Sequence, residues 1–221
     1  MISVGTVDVP ERVDRGRYFG ELDYVELSLF TRGDVKAKTR DKWVETCPRG
    51  AVGIVAPDGD LRELAPSVAD NVAAFGAPCA VFRSPALFAP SQANRDRLRA
   101  FFGERATAEA IGADRVWVPD GLWEPRSAVK LATELGILCA IDPLVREPGS
   151  PPEIYEQLEA PGYYFRVEAP GRPAALGDEL LEDLAALAEH YEESVVRVVF
   201  ATQEKWRDAR NFKKLLDSSS L

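Results

Sequence analysis

The sequence predicts a parallel α/β chain closed into a compact (β/α)8 barrel of the TIM type. Three observations lead there. Short apolar runs rich in Val, Ile and Phe begin near Ile2, Tyr24, Ala51, Cys79, Arg115, Ile137, Gly162 and Ser194. Their mean spacing is about 27 residues, room for one strand and one helix. Stretches with apolar residues at helical spacing lie between them. The chain has 221 residues, short of the roughly 250 usual for such a barrel, so some helices should be short or missing.

The elements follow in order. The first strand spans 2–6, and the second reads Tyr24-Val25-Glu26-Leu27-Ser28. Asp34 is placed to cap a helix through Trp43 to Cys47, stopped by Pro48. The third strand starts at Ala51, and a helix over 66–75 is closed by Gly76. The fourth strand, 79–82, ends in Arg83. Ser91 then caps a helix with Leu98, Phe101 and Phe102 on one face, ending before Gly103. A shorter helix is expected over 107–111, ahead of the strand holding Val116, Trp117 and Val118. Pro125 starts a helix that carries Val129, Leu131 and Leu135 and closes at Gly136. The sixth strand, 137–142, leads into a Pro-rich loop over 143–152, and the seventh covers 163–168. The clearest amphipathic helix is 178–192, with Leu180, Leu181, Leu184 and Leu187 on one stripe. After the last strand a helix carries Trp206, Ala209, Phe212 and Leu216. Residues 1–217 read as one domain and 218–221 as a frayed tail.

Composition narrows the function classes. The formal charge is −9 and the pI about 4.8. A generic electrostatic grip on nucleic acid is disfavoured, because phosphate binding needs clustered cations. Arg95, Arg97 and Arg99 form a local basic group, expected to be a solvated helix face. The sequence opens directly on a strand, so an export signal is not expected. The longest apolar runs, such as 135–141, are too short for a bilayer. Cys47, Cys79 and Cys139 are widely spaced and expected to be reduced, which fits a cytoplasmic protein. One His, His190, excludes a metal site built on several imidazoles. No Gly-rich phosphate loop and no GxSxG elbow is present. No cofactor or metal is expected.

Strand parity points to a site. Side chains alternate between the helix layer and the barrel interior. In the second strand Val25 and Leu27 should meet helices, leaving Glu26 inside. The same rule turns Asp142 inward in the sixth strand and Tyr164, Arg166 and Glu168 inward in the seventh. Arg83 and Asp120 follow the inward parity at the ends of their strands, and Trp117 and Trp123 bracket the end of the fifth. Glu26, Arg83, Asp120, Asp142, Arg166 and Glu168 are therefore expected at the C-terminal mouth, with Trp123 beside them. Buried charges must pair, stay wet or bind something. Two readings stand: an ion-pair network that plugs the barrel, or a pocket in which Arg83 or Arg166 holds an anionic group.

Several segments resemble the YecE-like family, domain of unknown function 72, a TIM-barrel family. They are VGT at 4–6, DYVELSLF at 23–30, KWVETCPRG at 42–50, RSPALFAPSQANRDRLRAFF at 83–102, VWVPDGLW at 116–123, YYFRVEA at 163–169 and VFATQEKWRDARNFKKLL at 199–216. The resemblance runs nearly the whole length in order. It implies the barrel and a site at its mouth, with Glu26, Trp123, Arg166 and Phe200 carried over. The chain also departs from the family pattern. Val55 stands for a Lys, Val118 and Asp120 for a Glu and an Arg, Glu168 for a His, and Ala201-Thr202 for Asn-Asn. The resemblance implies no particular reaction.

The expected function is binding of a small polar or anionic ligand at the barrel mouth by a TIM-barrel protein. Two alternatives stand beside it. One is a hydrolase of phosphodiester or glycosidic bonds, by analogy of fold. The other is a non-catalytic interaction protein whose site has decayed. No oligomeric state is legible.

Overall fold

The computed structural model describes residues 1–33, 35–119, 123–145, 155–170 and 174–219. Eight parallel strands follow one another in chain order and close into a barrel. They are β1 (Ile2–Val7), β2 (Tyr24–Leu27), β3 (Val52–Val55), β4 (Cys79–Arg83), β5 (Asp114–Val118), β6 (Leu138–Ile141), β7 (Tyr163–Val167) and β8 (Val196–Phe200). The helices are α1 (Arg15–Glu21), α2 (Ala37–Thr46), α3 (Ser67–Phe75), α4 (Gln92–Ala100), α5 (Ala108–Ile111), α6 (Pro125–Glu134), α7 (Asp178–His190) and α8 (Lys205–Ser219). Every strand starts within two residues of its expected position. Between β6 and β7 no helix occurs among the described residues. Of the expected elements, the Asp34 cap and much of the Pro-rich loop lie outside those residues, as do Ser220 and Leu221.

Local chemistry sets the helix boundaries. Asp14, Ser91 and Thr107 accept from the backbone N–H three residues on, which satisfies one orphan donor at each helix start. Gly76 and Gly112 end α3 and α5 in the left-handed conformation, φ 56° and 72°. α4 does not stop before Gly103. It widens into a π-helical turn over Phe101–Arg105, with the N–H of Ala106 donating to the carbonyl of Phe101 at 2.7 Å. The wider turn lets two consecutive residues, Phe101 and Phe102, both face Phe82, with ring centroids 5.4 and 5.6 Å away.

The chain divides into two compact units. The first contains residues 1–25 and 140–221. In it β8 lies between β1 and β7, with Gly5 opposite Val199 and Arg166 opposite the same Val199. The outer faces of these strands carry aromatic rings that meet the helices. Tyr163 stacks on Tyr191 at 3.7 Å, and Phe200 meets Phe212 of α8 at 5.5 Å. The second unit contains residues 26–139, with β3, β4 and β5 side by side. Its core includes Val52, Ile54, Phe82, Leu98, Phe102 and Trp117, all buried. Each such side chain contributes about 1.5–3 kcal/mol by leaving water.

β1 and β2 approach closely at Gly5. A Cβ on Gly5 would lie 1.8 Å from the carbonyl oxygen of Tyr24. The Tyr18 hydroxyl of α1 enters the same place. It accepts from the N–H of Thr6 at 2.9 Å and donates to the carbonyl of Tyr24 at 2.7 Å, bridging the two strands. Burial pushes the Tyr18 hydroxyl pKa well up, so the bridge keeps its proton. Gly5→Ala forces these backbones apart and is expected to cost ~3 kcal/mol or more in urea denaturation, the upper range for overpacking.

Candidate functional site

Strand polarity is settled by one interior contact. Tyr24 of β2 and Tyr164 of β7 meet edge to face with centroids 6.3 Å apart and hydroxyl oxygens 3.3 Å apart. β1 and β8 lie between those strands in the sheet order, so the rings meet only by pointing into the barrel. Arg166, two residues past Tyr164 on the same strand, shares its face. The neighbouring position on β8 is filled by Val199, and on β1 by Gly5.

In the first unit Asp142, Arg166 and Glu168 come together. Arg166 is 8% exposed and pairs with the carboxylate of Glu168. Asp142, just beyond β6, accepts from the N–H of Glu168 at 2.9 Å, of Ala169 at 2.7 Å and of Leu144 at 3.0 Å. Its carboxylate thereby pins the chain as it leaves β7. At that exit Ala169 is left-handed, φ 47°. Beyond β8, Asp208 of α8 is buried, accepting from the Thr202 hydroxyl at 2.6 Å and the Leu176 N–H at 3.2 Å. Burial raises the Asp208 pKa above the usual carboxylate range, with these two hydrogen bonds pulling against it.

In the second unit Glu26 is 1% exposed on β2, two residues past Tyr24 and on the same strand face. Arg83 ends β4 and donates to Asp58 at 2.8 Å. Trp123 is packed between rings. Trp117 stands edge-on at 4.8 Å, Phe88 is near-parallel at 6.5 Å, and the indole N–H of Trp123 donates to the Phe88 carbonyl. Arg95 and Arg97 do not form a simple solvated face. Their guanidinium groups lie 5.0 Å from the Trp123 ring centre and 5.6 Å from that of Phe88, while Arg99 is exposed and pairs with Asp96. Cation–π contact of these two half-buried side chains explains the split. Asp120 lies outside the described residues. Among the described residues no group of three or more His, Cys, Asp or Glu is placed to hold a metal ion, and no helix is long and apolar enough to cross a membrane.

Sequence reasoning passed over Arg197. It is 7% exposed on β8, opposite Tyr164 on one side and Ser3 on the other. The signal was present: in Val196-Arg197-Val198 the apolar parity faces helices, which leaves Arg197 inside. It also passed over Asp58, whose meeting with Arg83 spans 25 positions of sequence.

Backbone strain separates the two ends of the barrel. Four described residues other than Gly are left-handed: Asp8, Leu61, Leu87 and Ala169. Each follows the C-terminal end of a strand, β1, β3, β4 and β7 respectively. At the opposite end, the connections from helix to strand use Gly50, Gly76, Gly112 and Gly136 for the same conformation. Glycine adopts it without steric cost, whereas a branched side chain loses about 1–2 kcal/mol. Leu87 is 91% exposed, so its side chain has no packing to offset that cost. Leu87→Gly is expected to raise stability by ~0.5–1 kcal/mol in urea denaturation. A loss of stability would show that the conformation is not strained.

No family model and no curated protein matches the chain. Solved structures do, two of them DUF72 family proteins. A DUF72 family protein from Enterococcus faecalis V583 superposes with a TM-score of 0.68 at 15% identity, covering 99% of this chain and 94% of that one. A DUF72 family protein from Thermotoga maritima MSB8 gives 0.70 at 15% identity, covering 98% and 99%. The chain therefore shares the barrel fold of DUF72 proteins, the family its sequence resembles, in a strongly diverged form.

Proposed function

We propose that the barrel binds a small polar or anionic ligand at the C-terminal ends of its strands, with Arg166 meeting the ligand's charge. The arrangement of Arg166 carries this reading. Its side chain is 9% exposed on the interior face of β7, while that of its partner Glu168 is 54% exposed. A buried guanidinium needs an anion beside it. A carboxylate standing in solvent holds that place at little energetic cost. The carboxylate or phosphate of a ligand offers the same two-oxygen geometry and can take its position. Asp142 fixes the backbone of Glu168 and leaves the side chain able to rotate away. The strained residues at the same ends of the strands support the reading, because strain is retained where binding needs a set geometry.

Thermal shift with phosphate, nucleoside monophosphates and neutral sugars tests it. A bound anion at ~100 times its dissociation constant adds about 2.7 kcal/mol. For a chain of this size that corresponds to a rise of roughly 5–10 °C. Arg166→Gln should abolish the rise. Glu168→Gln should keep it at equal or lower ligand concentration, because the competing carboxylate is gone. An unmoved melting point with every anion, or a rise that survives in Arg166→Gln, contradicts the proposal and favours a barrel whose mouth no longer binds.

A further inference from the structure

Arg83 stands on the wall of a cavity of about 100 Å³, between the loop after β3 and helices α3 and α4. The floor is apolar: Leu61, Val68, Phe82 and Phe101 are all buried. The rim is charged, with Asp58 and Glu63 beside Arg83. We propose that this cavity is a second ligand site, independent of Arg166, for a short aliphatic monocarboxylate whose tail rests on the floor and whose carboxylate meets Arg83.

Three features argue for that ligand. The first is the state of the guanidinium. An arginine has five N–H donors. Among the described residues, Arg83 commits one of them, Nη2, to Asp58. Arg115 shows the opposite condition: its guanidinium is spent on the carbonyls of Phe102, Ala106 and Gly136. Asp58 is a weak competitor, since its side chain is 66% exposed and a solvated pair contributes little.

The second feature is size and polarity. An apolar cavity of about 150 Å³ takes benzene, so 100 Å³ takes about four carbons. The four floor residues offer no side-chain donor or acceptor, which disfavours sugars and other polyols. Asp58 and Glu63 make the rim net negative with Arg83 included, which disfavours a second carboxylate on the ligand. The third is pre-organisation. The loop that carries Asp58 is tied down at both ends of its turn. The Asp58 N–H donates to the Thr31 carbonyl at 3.3 Å, and Arg97 donates to the Asp60 carbonyl at 3.4 Å. A site formed before binding loses less entropy on binding.

Titration of ¹⁵N-labelled protein with sodium butyrate at constant ionic strength tests the proposal. Saturable shifts are expected at the amides of Gly59, Leu61, Val68 and Arg83. Butyramide and succinate should bind at least about tenfold more weakly. Arg83→Gln should weaken butyrate by a similar factor. Asp58→Asn should tighten it severalfold, because the competing carboxylate is removed; a role limited to holding the loop would weaken it instead. Arg166→Gln should leave butyrate binding unchanged, so the two sites fail or stand separately. Absent or non-saturating shifts, equal binding of butyramide, or weaker binding in Asp58→Asn would each overturn the assignment.

Discussion

The contact between Tyr24 and Tyr164 is the constraint on which the candidate site depends. A strand has two faces, and a shift of one residue exchanges them. By meeting across the inside of the barrel, these two rings fix which face of β2 and of β7 is interior. Alternation then carries Glu26 and Arg166 to those faces without any further assumption. The register of β8 against β7 extends the rule to Arg197 and Val199. The outward parity is equally clear, since Phe165 lies 6.4 Å from Tyr191 next to α7. One pair of rings therefore decides whether the charges of these strands line the interior or lie among the helices.

The two ends of the barrel are built by different rules. Where helices return to strands, left-handed turns are made by glycine, and the chain adopts them without strain. Where strands leave for helices, Gly33 alone among the described positive-φ residues is a glycine, and positive φ is otherwise imposed on Asp8, Leu61, Leu87 and Ala169. Within each unit, charged groups lie at or just beyond the ends of strands. In the first unit these are Arg166 with Glu168 and the backbone-capping Asp142; in the second, Arg83 with Asp58. In barrels of this type the first end serves stability and the second carries ligand chemistry. The cost in conformational energy of the four non-glycine residues falls on the end where the strands leave for helices.

The fold was largely legible in the sequence because its signals are local. Runs such as Val196-Arg197-Val198-Val199-Phe200 are extended by their own β-branched residues, and Gly76 and Gly136 mark helix ends through their own backbone freedom. What was not legible depends on partners distant in the chain. α1 has one buried residue, Tyr18, so it shows no apolar stripe to read. The π-helical turn after α4 follows from the need of Phe101 and Phe102 to reach Phe82. Arg95 and Arg97 read as a solvated face because nothing in their own helix reveals the rings of Trp123 and Phe88. The site divides along the same line. Parity exposed Glu26 and Arg166, and it would have exposed Arg197 too, whereas the pairing of Arg83 with Asp58 and the cavity beneath them exist only once the loop after β3 has folded.

A double-mutant cycle across Tyr24→Phe and Tyr164→Phe tests the interior polarity most directly. If the hydroxyls meet inside the barrel, the two losses of stability in urea denaturation are non-additive, with a coupling of about 0.5–1.5 kcal/mol. Losses that add to within ~0.3 kcal/mol would mean that the two hydroxyls do not meet inside the barrel, and the inward assignment of Arg166 would lose that support.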